Sequence, residues 1–274
     1  MGSSNDYDKS KCVIVGAPMD FTASFRPGSR NGPQVIRMVS TGLEEYSVYQ
    51  DKDLMDHNYY DLGDIILPFG NVTESLNRIE ATGHKLLEHG KLPIFLGGEH
   101  LISLPIVKAM ASKYPDLVVF HFDAHADLRR DYIGEKQSHA TVMRYVSELL
   151  GDKKVYQFGI RSGTKEEFEY AKEHTNMYVD QIIEPLTQLV ASWDSRPVYV
   201  SIDIDVVDPA YAPGTGTPEP GGCSSKDIIK ALLMLSRLPI VGIDIVEVLP
   251  MIDQSQRTAL LAAKLVREAV LAFK

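Results

Sequence analysis

A chain of 274 residues has room for one large α/β domain or two small ones, and a core of that size needs no disulfide support. Hydrophobic residues make up 44% and charged residues 24%, while a net charge of −9 with no basic stripe argues against nucleic acid or anionic membrane as partners. The two cysteines, Cys12 and Cys223, stand far apart in no metal-binding spacing, which points to a reducing compartment. The polar first stretch lacks a signal-like apolar core, and no run approaches the roughly 20 apolar residues of a membrane span, so the expectation is a soluble, cytoplasmic protein.

Short apolar runs at 12–15 and 59–62 predict the first strands. A helical pattern follows at 72–88, opening on Asn71 three residues before Glu74 and closing at Gly90. From there strands and helices alternate: strand 93–96, helix 102–114, strand 117–122, helix 140–150, strand 155–158, helix 165–174, strand 177–179, helix 186–193, strand 198–202, helix 226–235, strand 240–245 and helix 256–273. Such alternation implies right-handed crossovers and a largely parallel sheet covered on both faces. The runs LPIFL, LVVF and PIVGI are apolar throughout, as doubly buried strands require. No linker or repeat divides the chain, so a single domain over residues 1–274 is expected, with about the first ten residues loose.

Three polar segments follow directly on these runs: GGEH (97–100), FDAHAD (122–127) and SIDIDVVDP (201–209). In a parallel α/β sheet the carboxyl ends of strands form the ligand-binding edge, so all three can converge there. Asp123, His125 and Asp127 occupy alternate positions, and in extended chain alternate side chains project to one side; Asp203 and Asp205 repeat the arrangement. Four crowded carboxylates repel one another, and burial worsens the conflict. Two divalent cations remove it, with His100 and His125 as neutral ligands. Oxygen-rich ligation with some imidazole and no thiolate favours manganese over structural zinc. Two metals acting on a shared water lower its pKa towards roughly 7 and give a nucleophile at neutral pH.

A lone Asp-x-Asp at a strand end is as often a turn or cap, but three such segments at one edge are not explained that way. Asp203-Ile-Asp205-Val-Val207 also fits the nucleophile motif of haloacid-dehalogenase-type phosphatases, yet too little chain follows it for that fold. Glu99-His100 lacks the leading His of a zincin motif. His57, His84, His89 and His174 belong to no constellation, His121 reads as core or as support behind the ligands, and Asp208 before Pro209 shapes a turn. Nothing in the sequence makes Cys223 reactive, and Thr217 is a candidate for orienting groups near the metals.

These residues resemble the ureohydrolase (arginase/agmatinase) family, and its agmatinase branch most closely. The resemblance runs from Pro18-Met19-Asp20, Arg26-Pro27-Gly28, Gly32-Pro33 and Ile36-Arg37 through GGEH, DAHAD and Gly159-Ile160-Arg161 to SIDIDVVDPAYAPGTGTPEPGG and DIVEVLP. It implies a three-layer αβα sandwich around an eight-stranded, mainly parallel sheet, and two Mn2+ per chain. One ion would be bound by His100, Asp123, Asp127 and Asp203, the other by Asp123, His125, Asp203 and Asp205, with Asp123 and Asp203 bridging. Glu247 resembles the carboxylate that binds guanidinium, and His139 the histidine that carries a proton to the leaving amine. A homo-oligomer, trimer or hexamer, is implied as well.

The implied reaction is metal-hydroxide attack on the guanidinium carbon of agmatine, giving urea and putrescine. Where arginases place small neutral donors for the substrate carboxylate, this chain has Arg129 and Glu135. Agmatine ends instead in an ammonium, for which Asp131 or Glu135 is a candidate partner, and Arg129 is expected to point to solvent. The alternatives are guanidinobutyrase, arginase or formimidoylglutamase activity. A catalytically silent assembly subunit is a further alternative, against which the complete set of six ligands, Glu247 and His139 argues.

Overall fold

Runs of aliphatic residues become strands here because both of their faces are covered. In the computed structural model, which describes residues 4–273, the strands are β1 (Cys12–Ala17), β2 (Tyr46–Ser47), β3 (Lys52–Asp53), β4 (Tyr59–Asp64), β5 (Leu92–Gly97), β6 (Val118–Phe122), β7 (Val155–Ile160), β8 (Asn176–Val179), β9 (Val198–Asp203) and β10 (Ile240–Val246). The helices are α1 (Gly32–Val39), α2 (Val72–Glu88), α3 (Ser103–Lys113), α4 (Val142–Leu150), α5 (Lys165–His174), α6 (Ile183–Ser192), α7 (Ser225–Leu235) and α8 (Arg257–Ala272). Eight strands form one sheet in the order β4-β1-β5-β10-β9-β6-β7-β8, with every pair parallel.

Alternate strand residues feed two separate cores. Ile14, Ile94, Phe120 and Val200 pack under α1, α6, α7 and α8. Val13, Phe95, Val119 and Tyr199 pack under the helices of the other face, α2 to α5. This is the αβα sandwich. Helix starts are set by local chemistry: the Asn71 side chain accepts the Glu74 N–H at 3.0 Å, and Thr164 with Glu167 and Ser224 with Asp227 form reciprocal capping boxes. Among the described residues no helix is long and apolar enough to cross a membrane.

The order in which strands are added creates the functional edge. After β5 the chain crosses to β6, builds outward to β8, and returns to insert β9 and β10 between β6 and β5. The carboxyl ends of β5, β10, β9 and β6 are therefore neighbours, and every polar segment singled out above leaves one of them.

The structure adds two elements that hydrophobic periodicity did not predict. One is α1, whose eight residues begin on Gly32-Pro33, with Pro in the first turn where its missing N–H costs nothing. The other is the β2–β3 hairpin, too short to carry a pattern. Helix α6 starts at Ile183 rather than at residue 186, and α3 and α4 begin only after 3-10 turns at His100–Ile102 and His139–Thr141. Of the N-terminal segment expected to be loose, residues 1–3 lie outside the described residues, but residues 4–10 are tied down. Ser4 N donates to Tyr59 O at 2.8 Å, and Lys91 Nζ donates to Tyr7 O at 2.7 Å and Ser10 O at 2.8 Å. A half-buried lysine amine with several donors to place is the physical reason.

Glu268 of α8 is fully buried and accepts from Ser47 Oγ at 2.6 Å, Gln50 Nε2 at 2.8 Å and Arg267 Nη2 at 2.5 Å, which fastens the hairpin region to the helix. Glu268→Ala leaves the buried Arg267 without its carboxylate and should cost about 3–5 kcal/mol in urea unfolding. A loss below about 1 kcal/mol would mean that the pair behaves like solvated surface charges.

Candidate metal centre and active site

GGEH turns sharply off β5 because its glycines admit close packing. A Cβ at Gly98 would lie 1.8 Å from Met19 O, so only glycine fits against the loop that leaves β1. Glu99 N donates to Met19 O at 2.6 Å and Glu247 N to Gly98 O at 2.8 Å. Glu247 returns the contact, its Oε1 accepting the His100 N–H at 2.9 Å. The segments after β1, β5 and β10 are thus interlocked through their backbones. Asp127 (φ 52°) and Glu247 (φ 63°) both adopt left-handed backbone, a strain that persists only where the surroundings over-determine it.

His100, Asp123, His125, Asp127, Asp203 and Asp205 all converge. His100 Nδ1 lies 3.0 Å from Asp123 Oδ2, 3.1 Å from Asp127 Oδ2 and 3.4 Å from Asp203 Oδ2. His125 Nδ1 lies 3.0 Å from Asp205 Oδ2 and 3.5 Å from Asp123 Oδ1. Among the described residues, potential ligand atoms lying within 4.8 Å of one another form two sets, His100, His121, Asp123 and Asp127 in one and Asp123, His125 and Asp205 in the other, with Asp123 common to both. A shared carboxylate between two sets is what a pair of ions needs.

Hydrogen bonds behind the cluster orient its rings. Ser201 Oγ donates to Asp244 Oδ1 at 2.7 Å and so receives His100 Nε2–H at 2.9 Å, while Tyr199 OH donates to the other Asp244 oxygen at 2.6 Å. That leaves the His100 Nδ1 lone pair facing three carboxylates. Neither His100 Nδ1 nor Asp205 Oδ2, both buried, has a hydrogen-bond partner. His100 Nδ1 faces three carboxylates and Asp205 Oδ2 faces the His125 ring, and acceptors crowded together in this way fit cations between them, so the residues present suit a dinuclear metal site. His121 differs. Gln157 Nε2 donates to its Nδ1 at 3.1 Å and its Nε2 reaches Asp123 Oδ2 at 2.8 Å, so both nitrogens are engaged and the ring steadies Asp123 from behind.

Proton affinities carry the same conflict. Burial, with Asp123 nearby, raises Asp127 to about 7; burial and Glu99 raise Glu247 to about 8. Burial also lifts Asp203 well above, and Asp205 above, the usual carboxylate range. For Asp123 burial is outweighed by the imidazoles of His121, His100 and His125, which hold it well below that range. Burial opposes charge on His125 too, yet Asp205 and Asp123 raise it to about 12.

The cluster floors a pocket of about 280 Å³ whose walls include His139, Glu247, Thr217, Ser162, Tyr132 and Ser24. His139 begins a 3-10 turn capped by Ser138, and burial pushes its pKa down to about 4. Sequence reasoning missed Ser24, Ser162 and Glu167 because they lie outside the strand-end motifs. Arg129 does not point to solvent as expected. Its side chain is 38% exposed, lies with Nε 3.7 Å from buried Glu167, and sits over the Tyr132 ring at 5.1 Å in the pocket wall. Asp131 is exposed and accepts from Gly134 N, and Glu135 lines a neighbouring pocket, so neither candidate carboxylate lines this one, whose wall includes Glu167 instead.

An αβα fold with a buried carboxylate–imidazole site suited to two ions defines a class of metal-dependent protein. The arginase family's sequence profile matches residues 10–272, and the chain belongs to that family, the ureohydrolases. An agmatinase from Bacillus anthracis is 54% identical over 270 residues, covering 97% of this chain and 93% of that protein. A guanidinobutyrase from Pseudomonas aeruginosa is 36% identical over 96% of this chain and 86% of its own. The crystal structure of the agmatine ureohydrolase of Thermoplasma volcanium matches with a TM-score of 0.90 and 35% identity, over 98% of this chain and 92% of that one.

The shifts predict how metal-free protein responds to pH. Asp127 rises from 3.8 to about 7, Glu247 from 4.5 to about 8 and His125 from 6.5 to about 12, so from about pH 5 to about pH 8 the native state binds more protons than the unfolded chain. Its stability should therefore fall as pH rises through that window; the depression of Asp123 acts only below it, and that of His139 from 6.5 to about 4 opposes the fall in its lower part with one proton against three. Metal displaces those protons, so the gain in Tm on adding a divalent ion should be larger at the upper end. A chelator-treated protein whose Tm rises with pH would contradict this account.

Proposed function

We propose that this protein is a manganese-dependent agmatinase, hydrolysing agmatine to urea and putrescine. The observation that carries this reading is the buried carboxylate–imidazole cluster, in which His100 Nδ1 and Asp205 Oδ2 have no hydrogen-bond partner, beside a pocket lined by His100, His125, Asp127, Asp203 and Glu247. His100, Asp123, Asp127 and Asp203 would hold one ion and Asp123, His125, Asp203 and Asp205 the other, and a donor set of carboxylate and imidazole without thiolate suits manganese. Bound there, the two ions supply a water ionised near neutral pH.

The chain's own residues do the rest. Glu247, one oxygen of which is held by His100 N, offers the other to the planar N–H pair of a guanidinium and so places its carbon over the cluster. The positive charge of the docked cation also offsets the penalty that burial places on ionised Glu247. His139 is neutral at rest because burial lowers its pKa, so it first accepts a proton during the cycle and then delivers it to the leaving amine. Without that proton the amine would leave as a strongly basic anion.

Arg129 favours a second reading, guanidinobutyrase, because it lines the pocket and could pair with a carboxylate. Its charge is already matched by Glu167 and its guanidinium lies over Tyr132, so the wall as a whole is neutral rather than cationic. A carboxylate finds no free cation in that wall, whereas an ammonium needs no protein counter-ion if it stays at the solvated mouth. On that ground agmatine is the substrate.

Asp203→Ala removes a proposed bridging ligand and should abolish urea release together with metal binding. Glu247→Gln keeps the shape but not the charge; turnover should collapse while two metals per chain remain, and loss of metal in step with activity would make Glu247 a ligand instead. Across a panel with added manganese, arginine should lag agmatine by roughly 10³-fold or more in kcat/KM, since its carboxylate would be buried without a free donor. Guanidinobutyrate outperforming agmatine, with the preference lost in Arg129→Ala, would reverse the assignment.

A further inference from the structure

Glu99 is fully buried inside GGEH, yet belongs to neither set of potential metal ligands. Its carboxylate faces the other way, onto the loop after β1. Phe21 N donates to Oε1 at 3.0 Å, Thr22 N reaches Oε2 at 3.0 Å and Oε1 at 3.2 Å, and Thr22 Oγ1 makes a short hydrogen bond to Oε2. Backbone N–H groups can only donate, and they reach both oxygens, so the ionised carboxylate takes the hydrogen of the Thr22 hydroxyl as well.

That fixes what Thr22 offers to its other neighbour. With its hydrogen committed, Oγ1 can only accept. It receives the His139 N–H at 3.1 Å and faces His139 Nδ1 at 3.4 Å. Ser138 Oγ, which accepts the Ala140 N–H, lies at the same 3.4 Å from Nδ1, so a hydrogen on Nδ1 meets an acceptor on both sides, and the ring's other nitrogen, Nε2, lies 3.2 Å from Ser24 Oγ in the pocket wall. Tyr132 meets the imidazole edge-on at 5.8 Å, limiting its tilt. From these contacts we propose that Glu99 and Thr22 are positioning residues for His139. Together they hold the imidazole as its Nδ1–H tautomer with Nε2 presented to the leaving nitrogen, and they tie it to the segment that carries His100. This rests on the reading of His139 as the proton carrier and names what aims it.

A proton arriving at Nε2 must be able to leave from the same atom, because Nδ1 is occupied. The relay thus makes His139 a one-atom carrier, gaining and releasing its proton on the pocket side. Loss of the Thr22 hydroxyl frees the ring to rotate and the tautomer to exchange, which should damage leaving-group protonation and little else.

The test compares the manganese-loaded protein with Thr22→Val, Thr22→Ser and His139→Asn, using agmatine and its oxyguanidine analogue, in which an oxygen replaces the methylene next to the guanidino nitrogen. The leaving alkoxyamine is far less basic than an alkylamine and needs little help from an acid. Thr22→Val should retain both metals and a near-parental KM but lose about 10²-fold in kcat on agmatine, the cost of a misdirected catalytic group. The loss should shrink on the oxyguanidine, and Thr22→Ser should restore the parental behaviour. An equal loss on both substrates, or a serine variant as poor as the valine one, would overturn the relay and make Thr22 a packing residue. Collapse of His139→Asn beside an unimpaired Thr22→Val would overturn the relay alone. Full activity of His139→Asn on agmatine would overturn the proton-carrier reading, and the relay with it. Should Thr22→Val fail to fold, Thr22→Ala carries the same comparison.

Discussion

Mutual repulsion among Asp123, Asp127, Asp203 and Asp205 is the constraint to which the rest of the molecule answers. These side chains are nearly or fully buried, and at full charge they could not share the volume without compensating cations. The fold does not dilute the conflict. It concentrates it, by inserting β9 and β10 last between β5 and β6 so that their carboxyl ends abut. Protons supply part of the balance in the metal-free chain, and a pair of divalent ions completes it. Because protons and metal compete for the same oxygens, metal affinity, pH response and thermal stability of this protein are one linked property.

Rigid support is what makes such a site usable. The Ser201–Asp244–Tyr199 chain orients His100, and the Gln157–His121 pair steadies Asp123. Both chains run inside the sheet on strands β9, β10, β6 and β7, where cores on both faces hold the backbone still. The left-handed residues Asp127 and Glu247 each cost on the order of 1–3 kcal/mol, and that strain is sustained by the same packing. Glu247 N bonding to Gly98 O while His100 N bonds to Glu247 Oε1 makes the Glu247 carboxylate and the His100 segment a single mechanical unit.

Substrate choice depends on different parts of the molecule. Much of the pocket wall comes from segments after β1, β6 and β7, beside Thr217 after β9 and Glu247 after β10, and such segments are free of the sheet's register and able to vary. Arg129 shows the consequence. Its charge by itself suggests a carboxylate receptor, but Glu167, a residue whose first duty is to cap α5, neutralises it from the next loop. Selectivity there is a property of the pair and of the Tyr132 ring beneath it.

What the sequence determined by itself was the periodic and the local. Alternate spacing in Asp123-Ala-His125-Ala-Asp127 and in Asp203-Ile-Asp205 puts those side chains on one side of extended backbone whatever surrounds them, and doubly apolar runs such as LPIFL allow only a covered parallel sheet. The charge conflict, and hence the demand for cations, follows from those spacings. Tertiary structure alone decided what depends on contacts between distant segments. His121 has the same spacing as the ligands, yet it serves as support because Gln157, 36 residues later, occupies its second nitrogen. Thr22 meets Glu99 and His139 only because Gly98 lets two loops pack without a side chain between them, and Arg129 turns into the wall because Glu167 is there to receive it. Local patterns record which way a side chain leaves its own backbone; what it meets is set by the order in which strands join the sheet.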